Sequence, residues 1–227
     1  MTPVVRCIGA TRRYETAGLE PVTAVDGVDL ELGEGEFLAI EGPSGSGKST
    51  LLGLIAGIEP ADAGKVEVLG HDLARLSTRE RARLRRARIG IVFQAFGLLP
   101  SLSVVENVGL PLSLDGHDAR EAAERAEAAL ALVGLAPLGA ARIDELSGGE
   151  RQRVGVARAI VTNPELLLAD EPAGNLDDEN GEIVLGLLEA ARDRGASVLL
   201  VTHDPRLARR ADRRIALRDG RVLAPVR

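Results

Sequence analysis

Gly42-Pro43-Ser44-Gly45-Ser46-Gly47-Lys48-Ser49-Thr50 fits the phosphate-binding pattern of Gly, four variable residues, Gly, Lys, then Ser or Thr. The pattern needs a strand before it and a helix behind it. Phe37 to Glu41 reads as a short apolar strand, and Lys48 to Ala56 reads as the start of a helix. Glycines at 42, 45 and 47 open backbone conformations closed to residues with a β-carbon, so successive N–H groups can turn inward around an anion. The cradle delivers phosphate oxygens to a helix N-terminus, where unpaired N–H groups and the helix dipole favour negative charge. Lys48 is placed to reach β- and γ-phosphates, and the Ser49 hydroxyl to ligate Mg2+. By itself this loop specifies only a nucleotide-binding class.

The remaining sequence narrows that class. At 227 residues the chain is long enough for one sizeable domain, or for a core carrying an inserted subdomain. No stretch approaches the roughly 18 apolar residues of a spanning helix, and MTPVVRCIGATRRY lacks an apolar signal core, so a soluble cytoplasmic protein is expected. The single Cys7 cannot form an internal disulfide and reads as a strand residue. A formal net charge of -6 and an aromatic content of 2% argue against a general nucleic-acid binder. Arg79, Arg81, Arg83, Arg85, Arg86 and Arg88 crowd one helix, read as a solvated face because Glu80 interrupts them.

Val4 to Ile8, Ala24 to Leu32, Phe37 to Glu41 and Lys65 to Leu69 read as strands. From Arg79 to Val133 the pattern turns helical, broken by a strand at Ile89 to Phe93 and a loop around FGLLPSLS. A helix is expected from Glu121 with Gly134 closing it, and another from Gly148 to about Val161, stopped by Asn163 and Pro164. Beyond them come a buried strand at Glu165 to Ala169, a helix from about Glu179 to Arg194 and a strand at Ser197 to Val201. A short helix near Pro205 and paired strands around Asp219 and Gly220 close the chain. The alternation predicts an α/β fold with a mainly parallel sheet.

Leu166 to Asp170, followed by Glu171, is an apolar strand ending in adjacent carboxylates. At the carboxyl edge of a parallel strand Asp170 can hold Mg2+ and Glu171 can orient an attacking water. In LSGGERQR, from Leu146, Ser147, Gly148 and Gly149 form a second anion-ready turn at a helix start. One nucleotide already has a full cradle, so the second cradle calls for a second nucleotide, held by another copy of the chain.

With these motifs the chain resembles the ATP-binding subunits of ABC transporters over nearly its whole length. The resemblance implies a single domain over residues 1–227. Residues 1–94 and about 163–227 would form a P-loop NTPase core with an N-terminal antiparallel β subdomain, and about 95–162 an inserted α-helical subdomain carrying the signature LSGGE. It implies ATP and Mg2+ as ligands, hydrolysis of ATP, and a head-to-tail dimer in which Ser147, Gly148 and Gly149 close over the partner's γ-phosphate. Residues 42 to 50, namely Gly42, Pro43, Ser44, Gly45, Ser46, Gly47, Lys48, Ser49 and Thr50, would bind the phosphates. Tyr14 resembles the aromatic that stacks on adenine, Gln94 the glutamine that touches Mg2+ and the attacking water, and His203 the switch histidine at the γ-phosphate. Asn175, Leu176 and Asp177 resemble the loop that crosses between subunits. Glu171, with Lys48, Gln94 and His203, would carry catalysis, and Ser49, Gln94 and Asp170 the metal.

Two positions depart from the commonest pattern. Ala173 stands where Thr or Ser is usual, and Glu150 replaces the more frequent Gln; neither is expected to touch the ligands just named. FQAFGLLPSLSVVENVGLPL and DEPAGNLD resemble the branch of lipoprotein-releasing, macrolide-export and cell-division ATPases. That implies a place on the cytoplasmic face of the inner membrane, powering export, extraction or mechanotransmission by a permease. The permease is expected to dock near Ala95 to Pro111, where Phe96, Leu98, Leu99 and Leu102 offer apolar surface. A soluble ABC-type ATPase acting on nucleic acid is the alternative, disfavoured by the acidic balance and the lack of long insertions.

Overall fold

The computed structural model describes residues 3–15 and 20–223. In chain order the first half contains β1 (Val5–Tyr14), β2 (Val22–Leu32), β3 (Phe37–Glu41), α1 (Lys48–Ile55), β4 (Ala63–Val68), β5 (His71–Asp72), α2 (Thr78–Arg88) and β6 (Ile89–Val92). The second contains α3 (Val104–Leu114), α4 (Ala119–Leu132), α5 (Gly148–Ile160), β7 (Leu166–Asp170), α6 (Asp178–Asp193), β8 (Ser197–Thr202), α7 (Pro205–Ala208), β9 (Arg213–Arg218) and β10 (Arg221–Val222). Met1–Ala82 and Ser197–Arg227 make one compact unit, and Arg83–Ala196 a second.

The first unit holds an antiparallel sheet in the order β2-β1-β4-β5, and strands in the order β10-β9-β3-β8, with β3 parallel to both β8 and β9. β3 is buried on both faces, which is why Phe37, Leu38, Ala39 and Ile40 form an unbroken apolar run at 0% exposure. Val198 to Val201 of β8 repeat the pattern, and Leu51, Leu54 and Ile55 of α1 join the same core. Each such side chain contributes about 1.5–3 kcal/mol by leaving water. In the second unit β6 and β7 pair in parallel, with Val92 opposite Ala169. Val154, Val156 and Ala157 of α5 are buried beside them, together with Val104, Val108 and Leu112 of α3, Leu130 of α4 and Val184 and Leu188 of α6. Gly90 lets α5 approach: a β-carbon there would lie 2.2 Å from the Ala159 carbonyl oxygen.

The fold is therefore α/β with an N-terminal antiparallel sheet, as the sequence implies, but several element bounds differ from the reading. β1 runs on from Ile8 to Tyr14, because Gly9 makes a bulge at φ 56 that shifts the register instead of ending the strand. α4 begins at Ala119, two residues before Glu121, since Asp118 caps it by accepting from the N–H groups of Arg120 and Glu121. The arginines of α2 are not one solvated face. Arg79 and Arg83 are exposed, but Arg85, Arg86 and Arg88 are half-buried, and Arg88 pairs with Glu165 beside β7 at 2.5 and 2.6 Å. Leu84 is the one apolar buried side chain of α2, so the arginine stems supply the rest of its packing.

Candidate nucleotide-binding and hydrolysis site

The residues named from the sequence fall into two groups, one within each unit. In the first unit β3 drives the chain into the loop of residues 42–47, and α1 begins at Lys48. Gly47, the residue before that helix, sits at φ 98, makes no side-chain cap, and no acidic residue occupies the first turn. The helix end thus presents its N–H groups uncapped to an incoming anion. A β-carbon on Gly47 would lie 2.0 Å from the Ala24 carbonyl oxygen of β2, so glycine is required there by the sheet as well as by the turn. The loop is braced a second time where Gly220 N–H donates to the Ser46 carbonyl at 3.1 Å.

Lys48 is 6% exposed, and its ammonium donates to the carbonyls of Gly42 and Pro43 at 2.8 and 3.0 Å. These two carbonyls hold the ammonium at the inner side of the loop, where a buried cation is favourable only with polar or charged groups around it. Ser46 is 3% exposed and its Oγ lacks a hydrogen-bond partner. Together with the uncapped helix, this orphaned hydroxyl and the buried ammonium fit a phosphate group. Ser44, Gly45 and Ser49 are exposed.

Tyr14, at the end of β1, is half-buried. Its hydroxyl donates to Glu59 Oε2 at 2.5 Å, and the Arg12 guanidinium lies 5.0 Å from its ring centroid. Glu59 also accepts from Arg12 Nε at 3.1 Å, so the ring orientation is fixed by a residue that carries no motif or spacing signal. His203 is exposed just beyond β8, followed by Asp204, which caps α7 and bonds Arg206.

In the second unit the parallel pairing of β6 and β7 brings Gln94 and the Asp170–Glu171 pair to neighbouring strand ends. A β-carbon on Gly174 would lie 3.6 Å from Glu171 Cβ and 3.7 Å from Gln94 Nε2, so that turn borders both side chains. Asp170 is half-buried and Glu171 is 9% exposed, at φ 45, in the left-handed region that costs a residue with a β-carbon about 1–2 kcal/mol. The segment after Gln94 is tied down by Arg158, which donates to the Gly97 and Phe96 carbonyls at 2.6 and 2.8 Å. Burial lowers the pKa of that guanidinium. Among the described residues no cluster of three or more His, Cys, Asp or Glu could hold a metal. Asp170 and Gln94 instead offer sparse oxygen ligands, a set suited to Mg2+, which keeps waters and takes substrate phosphates as ligands.

The signature turn differs from expectation at one residue. Glu150 does touch a named ligand: its carboxylate accepts from the Ser147 hydroxyl at 2.7 Å and the Ser147 N–H at 2.8 Å. Ser147 Oγ in turn accepts from Glu150 N–H at 3.3 Å, completing a capping box at the start of α5. The Ser147 hydroxyl, with the backbone N–H, holds the Glu150 carboxyl below its ordinary pKa. Ser147 and Gly148 are exposed, whereas Gly149 is buried. Arg151 anchors the approach to the turn through the Ile143 and Asp144 carbonyls, at 3.0 and 3.3 Å. Asp177 caps α6.

The docking loop is likewise only partly as read. Leu99 is 43% exposed, but Phe96, Leu98 and Leu102 are half-buried. The apolar surface that the sequence missed lies on flanking elements: Phe93 and Leu114 are 38% and 62% exposed, and with Arg85, Arg86, Leu110 and Pro111 they line a cleft of about 260 Å³. Asn107, at 0% exposure, holds the loop. Its Oδ1 accepts from Leu99 N–H at 2.7 Å, and its Nδ2 donates to the carbonyls of Leu99, Leu102 and Ser103 at 3.0, 3.2 and 2.9 Å.

A family model for ABC transporters matches residues 25–174. The chain is 47% identical over 225 residues to the lipoprotein-releasing system ATP-binding protein LolD of Anaeromyxobacter dehalogenans, covering 98% of this chain and 94% of that protein. Two solved structures of MJ0796 superpose with a TM-score of 0.91 at 38% identity, each covering 98% of both chains. One is the dimeric post-hydrolysis state of that ATP-binding cassette bound to ADP and Pi, and the other is its dimeric structure as a bacterial ABC transporter cassette.

Proposed function

We propose, from the premise that this chain belongs to the ABC transporter family and is one of its ATP-hydrolysing subunits, that it works as a head-to-tail dimer driving a membrane permease in lipoprotein release. The buried Lys48 ammonium beside an uncapped helix start and an orphaned Ser46 hydroxyl carries the nucleotide half of this reading. Residues 42–50 bind the phosphates of ATP, and Tyr14 stacks on the adenine. Glu171 orients the attacking water, His203 meets the γ-phosphate, and Gln94 lies beside the same water. Ser49, Gln94 and Asp170 would hold Mg2+, which would supply positive charge against that developing on the phosphate oxygens. Ser147, Gly148, Gly149 and Asp177 serve the nucleotide held by the second copy. Residues 95–162 act as the inserted helical subdomain.

The kinship with LolD supports lipoprotein release as the task, and the dimeric MJ0796 cassettes support the pairing of two copies. Among the described residues no helix is long and apolar enough to cross a membrane, and this reading assigns the membrane-spanning part to a separate permease chain. The cleft between Phe93 and Leu114 receives a helix of that permease at the cytoplasmic face of the inner membrane. Its apolar walls favour the apolar face of an amphipathic segment.

The test is Mg-ATP turnover by the purified protein together with light scattering of Glu171→Gln. Hydrolysis in the parent, its loss in both Lys48→Ala and Glu171→Gln, and an ATP-dependent dimer in Glu171→Gln alone are expected. A Glu171→Gln protein that stays monomeric at saturating Mg-ATP refutes the dimer, and turnover stimulated by DNA in place of the permease refutes the transport role.

A further inference from the structure

Asn180, in the first turn of α6, bridges two segments that the sequence treats separately. Its backbone N–H donates to Asp177 Oδ1 at 2.8 Å, and its Nδ2 donates to Oδ1 and Oδ2 of the same carboxylate, each at 3.0 Å. The carboxyl is held below its ordinary pKa first by the Asn180 backbone N–H and then by the Asn180 side chain. On its other side the amide faces the signature turn. A β-carbon on Gly149 would lie 2.4 Å from Asn180 Oδ1, 2.6 Å from Cγ and 3.1 Å from Nδ2. Gly149 is therefore glycine for a reason besides any approach to phosphate: the amide of Asn180 fills the space its side chain would take.

Few side chains satisfy both sides at once. Aspartate would set a second carboxylate against Asp177, leucine has no donor, and serine is too short to span both oxygens. The next residue of α6, Gly181, is buried, and a β-carbon there would lie 3.4 Å from Ala173 Cβ. The start of α6 is thus wedged between the signature turn and the chain that follows Glu171.

We propose that Asn180 is a positioning residue which locks the Gly149 turn to the Asp177 carboxylate, so that both meet the second copy of the chain as one rigid surface. The proposal rests on the dimer reading above. Rigidity acts by removing freedom that association would otherwise have to freeze out. With Asn180 shortened, the two segments move independently and the dimer forms less readily, while the phosphate loop, in the other compact unit, is untouched.

The experiment follows Mg-ATP-driven association of the Glu171→Gln protein by sedimentation, with Asn180→Ala, Asp177→Ala and their combination added to it. Asn180→Ala is expected to raise the ATP concentration for half-association about fivefold or more, the factor that about 1 kcal/mol represents. Binding of a fluorescent ATP analogue to the monomer stays within about twofold. Asp177→Ala gives a similar shift, and the double variant no more than either single, because the two act through one link. A Glu171→Gln protein that never associates removes the dimer reading and this proposal with it. Association of Asn180→Ala at the parent's ATP concentration removes the proposal alone. So do additive shifts in the double variant, or an association defect matched by lost nucleotide affinity or thermal stability, which would mark Asn180 as merely structural.

Discussion

Asn107 is buried at 0% exposure under the loop that precedes α3, and its four side-chain hydrogen bonds make it the sharpest test of how that loop is held. The two hydrogens of Nδ2 are shared among three carbonyls, so at about 0.5–1.5 kcal/mol net per bond the three full bonds this amide can make sum to roughly 1.5–4.5 kcal/mol as a ceiling. The Leu99 backbone lies in a segment that water reaches once the amide is gone, which moves the expected cost of Asn107→Ala below that ceiling, to about 2–3 kcal/mol. For a chain of this size that corresponds to a fall of roughly 4–12 °C in thermal midpoint. Asn107→Asp should be worse than alanine at neutral pH, although it is nearly isosteric. It exchanges the donor nitrogen for a carboxylate oxygen that faces three carbonyls without water. Circular dichroism melts rank the variants, and amide exchange at Leu99 reports the loop itself, with faster exchange expected in both. An Asn107→Asp protein as stable as the parent, or more stable than Asn107→Ala, would show that the network is not what holds the loop.

Three further outcomes follow from the same structure. Cys7 is 2% exposed and burial, with Asp29 nearby, pushes its thiol pKa up to about 12, so it should resist a thiol reagent at pH 8 in the native protein and react fully in denaturant; native-state labelling at the denatured rate contradicts this. Glu80, Glu106 and Glu150 each close a capping interaction with Ser77, Ser103 and Ser147, which lowers their pKa values. The stability they add is complete above the ordinary glutamate value of about 4.3 and is lost as pH falls through the lower folded values. The melting temperature should therefore drop more steeply below that pH in the parent than in a Glu80→Gln/Glu106→Gln/Glu150→Gln variant, and parallel slopes would dismiss the boxes as a source. Gly90→Ala sets a β-carbon 2.2 Å from the Ala159 carbonyl oxygen, and an unfolding free energy lowered by about 1–3 kcal/mol, read as a lower urea midpoint, is expected; an unchanged midpoint would mean that α5 yields freely.

Much of the site was readable because its chemistry is local in sequence. Residues 42–50 and 147–149 each form a turn and the helix start that uses it, and Asp170 and Glu171 end a strand whose leucines announce its burial. What escaped the sequence is the supporting layer, whose members are distant along the chain. Glu59 orients Tyr14 from 45 residues away, and Gly220 braces Ser46 from the opposite end of the first unit. Asn180 reaches Gly149 across two helices. None of these leaves a periodic or spacing signal. The extension of β1 was missed for a different reason: Gly9 breaks the alternation that marks a strand, yet its N–H finds Asp29 Oδ1 at 2.8 Å, and pairing resumes beyond the bulge. Phe93 and Leu114 escape notice because the sequence places each at the end of a regular element, where an apolar residue is ordinarily assumed to face the core, whereas Phe93 lies one residue past β6 and both are exposed.

The wall that Gly47 shares with β2 bears on how an inactive control should be made. Any larger residue at 47 must push the Ala24 carbonyl aside, so a dead protein made there reports a displaced sheet as readily as a missing phosphate contact. Lys48 is only partly better, since its ammonium also ties together the Gly42 and Pro43 carbonyls. Glu171→Gln changes one oxygen to an amide at nearly constant volume. If Glu171 has the role proposed above, a defect in a cell carrying that allele is assigned to lost turnover, with the folded subunit still present to occupy its place.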